Sequence, residues 1–299
     1  MRRRRQMLAL AAVVAAVAVL VWRIDQPTSR PHVPGVASTY APRDASPVRE
    51  TPVESRRRYT VSRAAVPILM YHVIAPPFAT SPYPGLYVPP GEFAAQMRAL
   101  AGAGFHAVTL DRVWAAWHGE ATLPAKPVVL TFDNGYRTQE TEALPVLRRL
   151  GWVGVENLQL TGLPPQQGGL SRRQVRALLE AGWELDTQGY NHADLNSLDA
   201  QQLHFQIADT RRTLRRRYHA PVRWFCYPSG HYDAAVIAAV RAAGFVGSTT
   251  VVPGWARRGG DPFRLPRLRV LGGTTPAQLL AQIADSRDAP PPPVTYPAG

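Results

Sequence analysis

The chain holds one cysteine, Cys226, among 299 residues, so no disulfide can form within it. That thiol falls inside an apolar strand pattern, where an inert buried side chain is the ordinary reading. The lack of disulfides does not exclude export. Acid is also scarce, with 21 Asp and Glu against 34 Lys and Arg and a net charge of +13. The excess is almost all arginine. It fits a solubilising surface or attraction to anionic headgroups and wall polymers. Nucleic acid is not expected as a partner, because no aromatics interleave with the basic runs as a strand-binding groove requires. There is no internal repeat, and a monomer is expected. With 45% hydrophobic residues the chain can bury one substantial core.

No apolar run reaches the ~20 residues of a comfortable membrane span. The nearest, residues 7–22, carries no charge and follows the cluster Arg2 to Arg5. Residues 1–24 therefore read as a signal peptide or signal anchor. The basic flank puts the rest of the chain outside the cytoplasm, membrane-anchored or secreted. No small-x-small cleavage site follows directly, and Val36-Ala37-Ser38 lies far on, so the reading leans towards an anchor. Residues 25–60, rich in Pro, Arg and Ser, read as a disordered tether. Residues 61–287 read as the folded domain, and 288–299 as a disordered Pro-rich tail.

Within the domain, strands alternate with helices, which implies a parallel sheet. Strand patterns cover residues 66–72, 107–110, 128–134, 153–160, 183–188, 222–227, 246–251 and 268–270. Ser171 with Gln174 and Asp199 with Gln202 have capping-box spacing. Thr275-Pro276 opens a last helix. An open sheet and a barrel both fit this alternation. The stretch VVLTFDNGYR, Val128 to Arg137, is the centre of the pattern. It reads as a buried strand delivering Asp133 and Asn134 to its C-terminal end, with Gly135 making the turn.

TFDNG resembles the TFDDG motif of the NodB-type polysaccharide deacetylases, carbohydrate esterase family 4. Three other segments fall in that family's order: VPILMYH (Val66 to His72), WELDTQGYNHADL (Trp183 to Leu195) and WFCYPSGHYD (Trp224 to Asp233). The resemblance implies a distorted (β/α) barrel and hydrolysis of the N-acetyl carbon–nitrogen bond of a cell-envelope glycan. It also implies a zinc-type divalent metal held by one acid and two histidines, with a neighbouring acid as base. Carried over, the base is Asp133 and the ligand positions are Asn134, Gln188 and His192. Two of the three ligands are thus neutral amides, weak donors for zinc. The expectation is a protein active with altered metal dependence, or a glycan-binding pseudoenzyme with no cofactor. A third reading is a basic envelope protein holding an anionic polymer.

The resemblance further gives Arg267 as the partner orienting Asp133, since Cys226 stands where some members have arginine. It gives Tyr227, Ser229, Gly230 and Trp255 as substrate-lining positions. Glu156, Asp186, His72 and His231 are candidates to complete a ligand set. Each also has a structural reading: Glu156 facing outward to solvent, Asp186 one repeat deeper than Gln188, and the histidines packed at strand ends.

Overall fold

The computed structural model describes residues 59–161, 163 and 168–297. The expected signal segment and nearly all of the expected tether lie outside the described residues. Among the described residues, no helix is long and apolar enough to cross a membrane.

The sheet is built outward from two strands, β1 (Val66–Tyr71) and β3 (Pro127–Asn134), every residue of which is buried. Continuous apolar runs such as VPILMY and PVVL suit strands covered on both faces. β2 (His106–Ala107) pairs with the start of β3, in parallel. On its other edge β3 is followed by β4 (Val155–Leu158), β5 (Glu184–Thr187), β6 (Trp224–Cys226) and β7 (Gly247–Thr249), all parallel. Beyond β1 lie β8 (Trp255–Ala256), antiparallel, and β9 (Leu268–Arg269), parallel. A bridge between Thr249 and Leu265 links β7 to the strip leading into β9. The result is a parallel sheet curled into a half-barrel. Strand C-termini form one rim, where chemistry gathers in α/β folds.

Helices cover the outer face. The capping boxes at Ser171, Asp199 and Thr275 are all formed, each side chain accepting the backbone N–H three residues on. Each such cap stabilises its helix by about 1 kcal/mol. The longest core cluster joins Leu69, Tyr71, Phe132 and Leu130 to Phe93, Met97, Leu147 and Trp183. Phe132 is thus an outward, helix-facing residue, and its neighbours Thr131 and Asp133 face the barrel interior.

Two expectations are corrected. The strand expected over residues 107–110 is shorter and begins one residue earlier, as β2 (His106–Ala107): Thr109 accepts the N–H of Arg112 and caps a helix, Leu110–Trp117. Its buried face, Leu110, Val113 and Trp117, is too short a repeat to stand out in sequence. The Pro-rich tail is docked as far as it is described. Tyr296 exchanges backbone hydrogen bonds with Tyr232, and Pro293 accepts the Tyr232 hydroxyl at 2.8 Å. The stacked rings of these two tyrosines supply the burial that holds a proline-rich strand in place.

Candidate functional site at the strand rim

The end of β3 is a sharp corner. Gly135 has φ 84°, and a Cβ there would collide with Leu158. Asn134 itself has φ 76°, and His192 and Ser229 have φ 60° and 54°. These left-handed conformations are uncommon for non-glycine residues, and asparagine accepts them best. Three of them converge on one rim, a concentration of strain of the kind found at functional sites.

Asp133 lies just inside the rim, 1% exposed. Arg267 grips it with both ends of its guanidinium, Nη1 to Oδ1 and Nη2 to Oδ2, each at 2.8 Å. Asn157 Nδ2 donates to Oδ1 at 2.8 Å, and His72 Nε2 stands 3.9 Å from Oδ2. Arg267 is wholly buried, and its remaining donors reach the Thr250 carbonyl, the Thr131 hydroxyl and the Cys226 sulfur. Burial alone would raise the Asp133 pKa. The charge and hydrogen bonds of Arg267, with His72 and Asn157, outweigh it and hold the carboxyl at about 2. Burial pushes Cys226 up to about 12 and His72 down to about 4, so both are neutral near pH 7. Gln139 ties the corner together, donating to the carbonyls of both His72 and Asp133.

The other half of the site is a chain of neutral groups. The Asn134 N–H donates to Gln188 Oε1 at 3.0 Å, and Asn134 Nδ2 donates to Gln159 Oε1 at 3.1 Å. Gln188 Nε2 meets His192 Nε2 at 3.3 Å, and the Ser229 N–H points at the same nitrogen at 3.4 Å. With donors on both sides, His192 Nε2 is the unprotonated acceptor. Burial lowers the His192 pKa against the opposing pull of Asp133.

Asn134, Gln188 and His192 therefore converge, but they do not fit a zinc-type ion. The Gln188 oxygen and the His192 nitrogen are already engaged, and the set contributes no charge. Among the described residues, no group of three or more His, Cys, Asp or Glu is placed to hold a metal.

The compensating candidates do not complete the set. Glu156 is register partner of Phe132 and points to the helix side, away from Asp133 and Asn157. It does not reach solvent: it is 1% exposed and neither carboxylate oxygen has a partner. Burial, then the Asp133 charge, raises its pKa well above the usual range, so it is a neutral acid. Asp186, on β5 two residues before Gln188, accepts the N–H groups of Arg223 and Trp224 at the start of β6. His231 pairs with Asp194 at 3.3 Å. Only His72 stands in the site.

Two expected lining residues are also elsewhere. Tyr227 is fully buried and donates its hydroxyl to the Phe263 carbonyl. Trp255 is paired beside Pro67 at the start of β1, far along the strand from the rim, and donates to the Ile283 carbonyl. Ser229 and Gly230 do sit at the rim, Ser229 exposed. Sequence reasoning missed Thr131, Gln139 and Gln159. Thr131 was within reach, since it shares the face of Asp133 two residues on.

The site is thus an arginine-clamped aspartate at the rim of a curled parallel sheet. Residues 120–248 match the family model for polysaccharide deacetylase. YxkH of Bacillus subtilis (strain 168), named as a candidate polysaccharide deacetylase, is 28% identical over 224 residues, 75% of this chain and 78% of that protein. The Escherichia coli (strain K12) poly-beta-1,6-N-acetyl-D-glucosamine N-deacetylase is 38% identical over 52 residues, 17% of this chain and 8% of that one. Among solved structures, the Streptococcus pyogenes deacetylase PplD in complex with acetate superposes with TM-score 0.68 at 23% identity, covering 74% of this chain and 99% of that one. Residues 120–248 thus match the polysaccharide deacetylase family, and the chain has the fold of the solved NodB-type deacetylases.

Proposed function

We propose that the protein acts on N-acetylated glycan of the cell envelope, outside the cytoplasmic membrane, and holds it at the rim without a resident divalent metal. One observation carries this reading: Asn134, Gln188 and His192, the residues matching the family's ligand positions, are neutral groups hydrogen-bonded to one another and to the Ser229 N–H. The two outer bonds, at 3.3 and 3.4 Å, are long. An acetamido carbonyl is a better acceptor for the exposed Ser229 N–H than a distant imidazole nitrogen. Tyr190, 36% exposed beside this segment, offers a ring face to a sugar. Carbonyl capture and stacking need no ion, and they support binding with little turnover.

A second reading, hydrolysis of the N-acetyl bond with Asp133 as base, is favoured by the Asp133–Arg267 pair and by neutral His72 beside it. Metal analysis of the purified full-length protein, with acetate release and binding measured on chitin oligomers and peptidoglycan, separates the two. Expected are chelator-insensitive binding and little acetate. Stoichiometric zinc with acetate release would establish the second reading. The extracytoplasmic placement rests on the basic cluster and apolar run, and an alkaline phosphatase fusion at the C-terminus should be active.

A further inference from the structure

The arginine run Arg211 to Arg217 lies on helix Thr210–Tyr218, and cations near a helix C-terminus need no ligand to explain them. Their surroundings do. A groove of ≈ 950 Å³ runs beside this helix, lined by His204, Arg211, Arg212, Arg215, Arg216 and His219 with small residues behind them. Arg211/Arg212 and Arg215/Arg216 are spaced about 6 Å apart along the helix axis, four residues at 1.5 Å each. Arg212 shares Asp209 with His204, whereas Arg215 and Arg216 have no ion-pair partner among the described residues. Asp186 acts on Arg211 by its charge but lines a separate cavity.

Arg211 forms the floor. Its Nε donates to the Val222 carbonyl and its Nη1 to the Ala243 carbonyl, each at 2.8 Å. Burial and then the Arg215 charge both work against its charged form. The loop beside it is strained, with His219 at φ 55° and the β-branched Val222 at φ 45°. Like charges are therefore gathered in a concave, fixed place with too little acid to offset them.

We propose that this groove binds an anionic polysaccharide strand, one with carboxylate or phosphate groups along its length. The polysaccharide identity rests on the reading of the rim as a glycan site; the anion-binding chemistry does not. Guanidinium groups recognise carboxylate and phosphate in paired geometry. A flat membrane fits the groove poorly, because its apolar lining is Ala208, Ala220, Pro221, Ala242 and Ala243, with no large side chain to insert. No Phe, Tyr or Trp lines it for stacking with nucleic acid bases.

The test is binding of polygalacturonate, a linear polyanion with no N-acetyl group, to the full-length protein and to Arg215→Gln/Arg216→Gln. Both positions are exposed, so the variant should fold as the parent does. Expected is salt-sensitive binding that weakens by about tenfold or more in the variant. Binding of chitin oligomers at the rim should be unchanged. Failure of the parent to bind, or equal binding by the variant, would overturn the proposal. So would tighter arginine-dependent binding to phosphatidylglycerol vesicles, which would make the surface a membrane contact. Loss of chitin binding alone would count against the rim reading and leave the groove standing.

Discussion

Asp133 on β3 and Asp186 on β5 flank Asn157 in the sheet register, are 1% and 0% exposed, and titrate in opposite directions. Asp133, at the rim, is held at about 2. Asp186 is pushed up to about 7. Burial acts on both in the same sense, so burial does not make the difference. The difference is the partner. Asp133 faces a guanidinium in two-pronged contact. Asp186 has two backbone N–H groups but, among the described residues, no cation against it: burial, with the Asp111 charge, raises its pKa despite those hydrogen bonds, and its second oxygen has no hydrogen-bond partner. A buried carboxylate in this fold is ionised only where a cation answers it. The rim position beside Asp133, where no such cation is supplied, carries Asn134 instead.

The largest expected effect comes from removing the cation. Arg267→Met should turn Asp133 into a buried acid without counter-charge and cost about 3–5 kcal/mol of stability, the usual penalty for breaking a buried pair. Urea unfolding at pH 7 measures it. The companion variant Asp133→Asn/Arg267→Met removes both charges and should recover much of that loss. If it does not, packing rather than charge holds the corner together.

The next effect comes from supplying a different cation. Asn134→Asp with Gln188→His restores one acid and one imidazole beside His192. Without metal, the new carboxylate should behave like Asp186 and destabilise the fold. With zinc at a hundredfold over its dissociation constant, stability should rise by about 2.7 kcal/mol. Each single change should do much less, because ligands that act together are not additive. Thermal unfolding with and without zinc reads this out. A folded double variant indifferent to zinc would show that the pocket was rebuilt beyond these two side chains.

The pH dependence of the unaltered protein should carry both signatures. The Asp133 pKa is lower folded than unfolded, so its contribution is present above pH 3.8 and is lost as pH falls through about 2. The Asp186 pKa is higher folded than unfolded, so its contribution is present in acid and is lost as pH rises from 3.8 through about 7. A flat stability profile between pH 4 and 7 would contradict the second. These shifts were not legible in the sequence, and the reason is physical. Asp133 and Arg267 could be paired on paper because ordered motifs put both near strand ends. Which groups Asp186 meets depends on parallel register with β4 and β6, which periodicity does not encode. The same blindness to register put Trp255 at the rim and left the face of Glu156 open. What was legible, the strand alternation and three capping boxes, depends on neighbours within a few residues.

The smallest effect should come from relieving the acids on β5. Glu184 and Asp186 share β5 and the cavity lined by Asp111 and Arg223. Burial first, then Asp186 and Asp111, raises the Glu184 pKa well above the usual range. Among the described residues only Arg223 opposes this cluster with charge at contact distance, and it lies 3.4 Å from Asp111 rather than on the pair. Asp186→Asn keeps an acceptor for the Arg223 and Trp224 N–H groups, which anchor the start of β6, and removes the proton competition. It should stabilise the protein by about 1 kcal/mol at pH 8, the scale of one relieved buried charge. At pH 4, where Asp186 is protonated, it should change stability little. Unfolding midpoints at the two pH values decide the matter. A loss at both would mean that the amide cannot hold the β6 backbone as the carboxyl does, and that hydrogen-bond geometry, rather than charge, keeps an acid at this position of β5.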